Sequence, residues 1–232
     1  MDGSVTEPEI VEPEPPAIVA RALAVRGPWG PVYGPLDLEV ARGGLTVLTV
    51  TPGSGATALL ATLAGRMTPT SGTLDVMGQT RAPAIFGRSA LAGVEDLDGV
   101  SDSVTVGDLL TEQMRWDAPW YRRVRRADAG DLTRVCAPVF GPLPLPALNA
   151  YVDELTELDA LLLRISLANT ATPPLLVVGS LDQVDEDASR AELVRRLVAL
   201  GERQTVVTAS ANAVPPGLGV RVQVSVDEKG GE

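Results

Sequence analysis

Histidine is absent from the 232-residue sequence. Mechanisms that need a histidine base, a histidine metal ligand or a histidine pH switch are therefore excluded. Lysine occurs once, as Lys229 in a glycine-rich C-terminal stretch, so no lysine elsewhere in the chain can serve a phosphate site. The single cysteine, Cys136, excludes an internal disulfide and fits a reducing compartment.

Long hydrophobic runs are also missing from the sequence. No apolar run approaches the roughly 18 residues of a membrane span, and the acidic N-terminus lacks the basic region of a secretory signal. We therefore expect a cytoplasmic protein with no transmembrane segment. The net charge of −11 argues against nucleic acid as a partner. A hydrophobic content of 45% and a mean hydropathy of +0.15 indicate a globular domain.

The two ends of the chain differ in composition from the middle. Within residues 1–16, four glutamates alternate with prolines, which predicts a disordered acidic arm that has no core to bury. Charge runs are usually solvated, so we interpret this arm as a solubilising tail. Residues 227–232 are predicted to form a flexible tail, which leaves 17–226 as the folded domain.

One stretch in the first third of the chain has the layout of a phosphate-binding loop. The apolar run Leu45–Val50 stops at the turn Thr51–Thr57, and an alanine- and leucine-rich helical pattern starts at once. In such loops the backbone N–H groups at a helix N-terminus surround an anion. The candidate binding residues are Gly53, Ser54, Gly55, Ala56, Thr57 and Ala58. The position that normally carries lysine is Ala56, so the loop lacks its cation.

The rest of the chain alternates between strand and helix patterns. The predicted elements are a half-buried strand at 36–40, a turn and strand at 70–78, a helix at 100–116, a helix at 153–167, a buried strand at 175–178, a helix at 188–200, a buried strand at 205–208 and an edge strand at 220–226. Thr105 or Ser103 is the expected cap of the first of these helices. This order predicts an α/β core with a mostly parallel sheet.

Residues 116–126 form the one basic and aromatic segment of an acidic chain. Two tryptophans and a tyrosine lie beside four arginines there. One interpretation is an amphipathic helix that extends its arginines into solvent. The other is a docking surface for a protein partner or for the headgroup face of a membrane.

The order of these elements resembles the nucleotide-binding subunit of an ATP-binding-cassette (ABC) transporter. The likeness spans about residues 18–226. It is carried by LDLEVARGGLTVLTV, LLATLAGRMTPTSGTLDVMG and the pair PPLLVV and SRAELVRRLVAL. The resemblance implies a P-loop NTPase (RecA-like) core, an antiparallel β subdomain from the N-terminal strands and a helical subdomain at about 98–168. It also implies ATP and Mg²⁺ as ligands, with the Thr57 hydroxyl on Mg²⁺ and Trp29, in preference to Tyr33, stacking on adenine.

The family's chemical motifs are degenerate in this sequence. Val50 replaces the first glycine of the loop, and Ala56 replaces its lysine. After the strand at 175–178, Gly179 and Ser180 stand where the family places the Mg²⁺-binding aspartate and the water-activating glutamate. In a slipped loop Asp182 would reach the metal. By the same resemblance, Asp185 matches a dimer-contact aspartate. Asp187, a residue type favoured at helix starts, is the expected cap of the next helix.

Three further motifs are altered. The signature Leu-Ser-Gly-Gly-Gln reads Leu155-Thr156-Glu157-Leu158-Asp159, which replaces glycines by bulkier residues and adds two carboxylates. The expected glutamine is absent from residues 80–112, where Glu95, Asp96 and Asp98 occur instead, and the switch histidine falls at about Ser210 or Ala211. Carboxylates facing a triphosphate repel it.

These losses favour a degenerate subunit that binds ATP and Mg²⁺ weakly or not at all. Such a subunit would pair with itself or with a second ABC-type subunit, and it would dock on a membrane permease through residues 116–126, at the inner face of the cell membrane. Two alternatives stay open: an active ATPase in which Thr57 and Asp182 hold Mg²⁺, and a stand-alone scaffold or regulator with no transporter.

Overall fold

The computed structural model describes residues 14–51, 53, 55–94 and 104–226. The strands are β1 (Ile18–Gly27), β2 (Gly30–Val40), β3 (Gly44–Thr49), β4 (Ser71–Val76), β5 (Ser89–Ala92), β6 (Leu175–Ser180), β7 (Thr205–Ser210) and β8 (Val222–Ser225). The helices are α1 (Ala56–Leu63), α2 (Ala82–Phe86), α3 (Val106–Asp117), α4 (Ala129–Phe140), α5 (Glu157–Ala168) and α6 (Asp187–Gly201). The acidic arm and the C-terminal tail lie outside the described residues, apart from 14–16.

The strands form two sheets. A five-stranded sheet has the order β5-β6-β7-β3-β8, and each of its pairings is parallel. A three-stranded antiparallel sheet has the order β2-β1-β4. The predicted fold class is therefore confirmed, with the apolar strand β6 inside the parallel sheet and β8 at its edge.

The parallel sheet separates two hydrophobic cores, because successive side chains of a strand point to opposite faces. On β6, Leu176 and Val178 pack with the helices α3–α6, whereas Leu175 and Val177 pack with α1 and the antiparallel sheet. Burial of both faces explains why this strand is apolar throughout. On β2, which covers the second core, Leu36, Leu38 and Val40 are buried while the residues between them are exposed.

Side-chain caps fix where three of the helices begin, namely α3, α4 and α5. Thr105 Oγ1 accepts a hydrogen bond from the amide of Asp108 and so caps α3, as predicted, while Ser103 lies outside the described residues. At α6 the prediction is wrong: Glu186 occupies the cap position, and Asp187 is the first helical residue and pairs with Arg190.

The helical interpretation of residues 116–126 is also wrong. Helix α3 ends at Asp117, and the chain is irregular from there to Asp128, where α4 is capped. Ala118 takes an extended conformation (ψ 146°) because Pro119 follows it, and a proline disfavours helical geometry in the preceding residue. Among the residues the structure describes, no helix combines the length and the apolar character needed to cross a bilayer.

Candidate nucleotide site

The loop between β3 and α1 is shaped by two glycines. Gly53 has φ of 82° and Gly55 has φ of 73°, a left-handed conformation that side chains disfavour. Gly55 also lies against the neighbouring β2 strand, where a Cβ would overlap the Val32 carbonyl oxygen and come within 2.9 Å of its carbon. Helix α1 starts directly after Gly55. Pro52 and Ser54 lie outside the described residues.

The first turn of α1 offers an anion backbone N–H groups but no charge from a side chain. Ala56, in the lysine position, is half-buried against the core, and Ala58 is buried. Thr57 is exposed, so its hydroxyl is accessible to a ligand. A lysine at position 56 would contact the β- and γ-phosphates of a triphosphate. Without it, only the backbone N–H groups at the N-terminus of α1 can contact these phosphates.

The two aromatic candidates for adenine stacking differ completely in exposure. Trp29 lies in the turn between β1 and β2 and is fully exposed, at 100%. Tyr33 is buried in the core, and this burial raises the pKa of its phenol. Tyr33 therefore cannot stack on a bound base. Trp29 stays a prediction, on the strand hairpin that also brings Val32 against Gly55.

Position 179, where the family has its Mg²⁺-binding aspartate, has no room for a side chain. A Cβ on Gly179 would overlap the carbonyl oxygen of Gly93 and lie 2.6 Å from Nε2 of Gln183. Gln183 Nε2 donates to the carbonyl oxygens of Gly93 (2.7 Å) and Ser180 (2.9 Å), which ties the ends of β5 and β6 together. Gly93 and Gln183 were not identified from the sequence, because residues 90 positions apart form this contact.

Asp182, the alternative metal ligand, is engaged by other groups. Its carboxylate accepts hydrogen bonds from Ser180 Oγ (2.7 Å), Ser210 Oγ (3.2 Å) and the amide of Ala211 (2.7 Å). Asp182 thus joins the ends of β6 and β7, next to the position expected for the switch histidine. In the described part of the chain, no three acidic or cysteine side chains are grouped so as to hold a metal ion. With glycine at position 179 and Asp182 bonded to other groups, the donors available beside Thr57 do not match the Mg²⁺ site that the resemblance implies.

The signature segment is capped by its own side chains. Thr156 Oγ1 accepts from the amide of Asp159 (3.1 Å) and donates to its carboxylate (2.9 Å), so the cap residue bonds one of the free amides in the first turn of α5. Glu157 Oε2 accepts from the amide of Asp185 at 2.8 Å. Arg190 binds the carbonyl oxygens of Val184 (3.0 Å) and Asp185 (3.1 Å). The surface that faces a partner's nucleotide in the family is thus held by internal bonds and carries carboxylates.

Several known proteins are similar to this chain. No protein-family profile matches it. The cytochrome c biogenesis ATP-binding export protein CcmA of Pseudomonas syringae pv. tomato is 35% identical over 106 residues, which is 45% of this chain and 47% of the relative. The chain therefore matches about half the length of such curated relatives.

Nearly the whole chain superposes on ABC-transporter subunits of known structure. The TM-score is 0.69 with cbiO1 of Clostridium perfringens, part of the ABC transporter complex cbiONQ, at 14% identity over 92% of this chain and 88% of that one. It is 0.65 with the ATP-binding cassette MJ0796, a dimer bound to ADP and Pi, at 13% identity over 84% and 88%. The resemblance seen in the sequence is thereby confirmed: the chain has the fold of the nucleotide-binding domain of ABC transporters.

Proposed function

We propose that this protein is an ABC ATP-binding-subunit-like protein with a degenerate nucleotide site, which binds Mg-ATP weakly or not at all. The observation that carries the proposal is the filled space at Gly179. An aspartate there would collide with the Gly93 carbonyl group and the Gln183 side chain. The Gly93 backbone and the Gln183 side chain thus occupy the space that an aspartate at position 179 would need. Replacing this glycine alone would not recreate the metal site.

Two other positions that would contact the nucleotide or its metal are also altered. Ala56 supplies no charge to the phosphates, and Asp182 is already bonded to Ser180, Ser210 and Ala211. Phosphoryl transfer depends almost entirely on positioning and on charge stabilisation by lysine, metal and a catalytic base. The lysine, the metal-binding aspartate and the water-activating glutamate are replaced by Ala56, Gly179 and Ser180, which supports a binding or structural role over turnover.

The proposed partners are a membrane permease and a second ABC-type subunit, which is another copy of this chain or a competent relative. The support comes from proteins with the same fold: cbiO1 is part of a transporter complex, and MJ0796 forms a dimer. The proposed location is cytoplasmic, at the inner face of the cell membrane.

The test is a thermal unfolding experiment on the purified chain with Mg-ATP. A ligand at a hundredfold excess over Kd stabilises the native state by about 2.7 kcal/mol, which for a chain of this size raises Tm by roughly 5–10 °C. We expect no such shift at millimolar Mg-ATP. Steady ATP hydrolysis that disappears in Thr57→Ala would overturn the proposal and favour an active ATPase with an unorthodox metal site.

A further inference from the structure

The last turn of α3 and the irregular segment that follows it expose three large aromatic side chains. We call residues 115–126 the arginine–aromatic loop. Trp116 is 78% exposed, Trp120 is 96% exposed and Tyr121 is 74% exposed. The rings of Trp120 and Tyr121 contact each other edge to face, with centroids 5.9 Å apart. Such exposure of two tryptophans costs solvation free energy unless another surface covers them.

The arginines of this loop fall into two groups. Arg125 pairs with Asp131 (2.7 Å) and Asp128 (3.1 Å), and Arg126 pairs with Asp108 (3.1 Å). These ion pairs anchor the C-terminal end of the loop to α3 and α4. Within the described part of the chain, the other three arginines form no ion pair, and all three are exposed: Arg115, Arg122 and Arg123.

The unpaired arginines give the loop a charge opposite to that of the whole protein. Two of the five arginines in residues 115–126 are paired with carboxylates outside the loop, so the three unpaired arginines and the acidic Asp117 leave a net charge of +2, in a chain of net charge −11. An open cleft of about 400 Å³ lies beside the loop, with Arg122, Arg123 and apolar side chains among its lining residues. Its two carboxylates are already engaged, since Asp117 accepts from Gln113 and Asp131 pairs with Arg125 and Arg134.

We propose that the arginine–aromatic loop binds an anionic lipid bilayer directly, with the tryptophans in the interfacial region and Arg115, Arg122 and Arg123 on lipid phosphates. Tryptophan and tyrosine concentrate at membrane–water interfaces, and basic side chains beside them are attracted to anionic headgroups. This activity goes beyond the proposed pairing with a permease, because it needs lipid alone and no nucleotide.

The arrangement of the side chains favours lipid over a protein partner. Protein interfaces also enrich tryptophan, tyrosine and arginine, but the fully buried core of an interface is depleted of charged residues overall and the polar groups lie at its rim. In the loop, by contrast, Trp120 and Tyr121 are followed directly by Arg122 and Arg123, so apolar and cationic groups are mixed. Mixed groups of this kind match a headgroup layer, in which apolar and anionic groups also lie side by side.

The experiment is flotation of the full chain with vesicles of phosphatidylcholine alone or mixed with phosphatidylglycerol. We expect the protein to float with the anionic vesicles only, and added salt to release it because the attraction is screened. Each basic side chain near an anionic surface raises affinity roughly fivefold. The double variant Arg122→Gln/Arg123→Gln should therefore bind roughly 25-fold more weakly. The matched control, Arg88→Gln/Arg203→Gln, removes the same charge from exposed arginines elsewhere and should bind as the wild type does.

The three tryptophans allow a second readout, because Trp29 lies far along the chain from the loop. In Trp29→Phe, anionic vesicles should shift the remaining tryptophan emission to the blue. In Trp116→Phe/Trp120→Phe, where only Trp29 emits, no shift is expected. Equal weakening by the two arginine pairs, a blue shift from Trp29, or binding only to vesicles that contain a permease would each overturn the proposal. All these side chains are exposed, so the variants are expected to fold.

Discussion

The closed space at Gly179 makes a quantitative prediction for the substitution that would restore the family's aspartate. A Cβ at this position overlaps the Gly93 carbonyl oxygen and lies 2.6 Å from Gln183 Nε2, whereas real Cβ contacts lie beyond about 3 Å. Gly93 or the end of β6 must therefore move, and overpacking of this kind costs about 1–3 kcal/mol. The movement also breaks hydrogen bonds of Gln183, each worth about 0.5–1.5 kcal/mol. Gly179→Ala should thus destabilise the protein by roughly 2–4 kcal/mol.

Gly179→Asp should cost more than Gly179→Ala, because the carboxylate adds volume and a half-desolvated charge beside the carbonyl oxygens of Gly93 and Ser180. The assay is equilibrium urea unfolding, with the free energy taken from the midpoint at unchanged m-value. Gly87→Ala is the matched control, since Gly87 has φ of −67° and a Cβ there would meet nothing closer than 3.8 Å. Its stability should stay within about 0.5 kcal/mol of wild type. A Gly179→Asp protein as stable as wild type would show that the space exists and would remove the main support for a degenerate site.

Two further predictions concern Ala56, in the loop between β3 and α1, and the buried thiol of Cys136. Ala56→Lys should raise Mg-ATP affinity by about tenfold or more in calorimetry, because a charge-assisted contact contributes about 1.5–3 kcal/mol, and it should not create turnover while Gly179 lacks a carboxylate. An unchanged Mg-ATP affinity would mean that the loop around Gly53 and Gly55 does not have a conformation that binds phosphate. Burial raises the pKa of the Cys136 thiol to about 11, so the thiol should resist alkylation in the native protein at pH 8 and react rapidly in urea. Because the unfolded thiol loses its proton at lower pH than the folded one, stability should fall as pH rises from about 9 towards 11. Cys136→Ser should show a smaller fall over this range, and buried Tyr33 should account for a part of the fall that remains above about pH 10. Rapid native alkylation would contradict the buried environment.

The strands and the parallel sheet could be predicted because their signals are local. An apolar strand such as Leu175–Val178 is recognisable without knowing its neighbours, and the alternation in Leu36–Val40 reports one buried face. Thr105 and Thr156 were recognisable at helix starts for the same reason, since a cap binds an amide three residues away. The conformation of residues 116–126 was harder to predict, because the residue pattern favoured a helix while Pro119 disfavoured one. The helix ends at Asp117, two residues before this proline.

The candidate site was only partly predictable. The missing lysine, aspartate, glutamate and histidine could be noted from the sequence, since each is a single expected residue type. What fills their space depends on contacts between distant segments: Gly93 with Gln183, Glu157 with Asp185, and Asp182 with Ala211. Local patterns carry no information about such pairs. The division of the loop arginines into paired and unpaired sets is hidden for the same reason, because Asp108 and Arg126 are 18 residues apart.

The contact between Gly55 and the Val32 carbonyl group has a consequence for how glycine-rich motifs are interpreted. The glycine is needed by the hairpin that crosses over the loop, whether or not a phosphate ever binds. Replacement of Gly55 would thus damage folding before it affected any ligand. A glycine motif can persist in this architecture as a spacer between two layers of backbone. To infer from sequence whether such a chain uses ATP, one must then examine residues that the fold does not need for packing. The most informative of these is the lysine that Ala56 replaces.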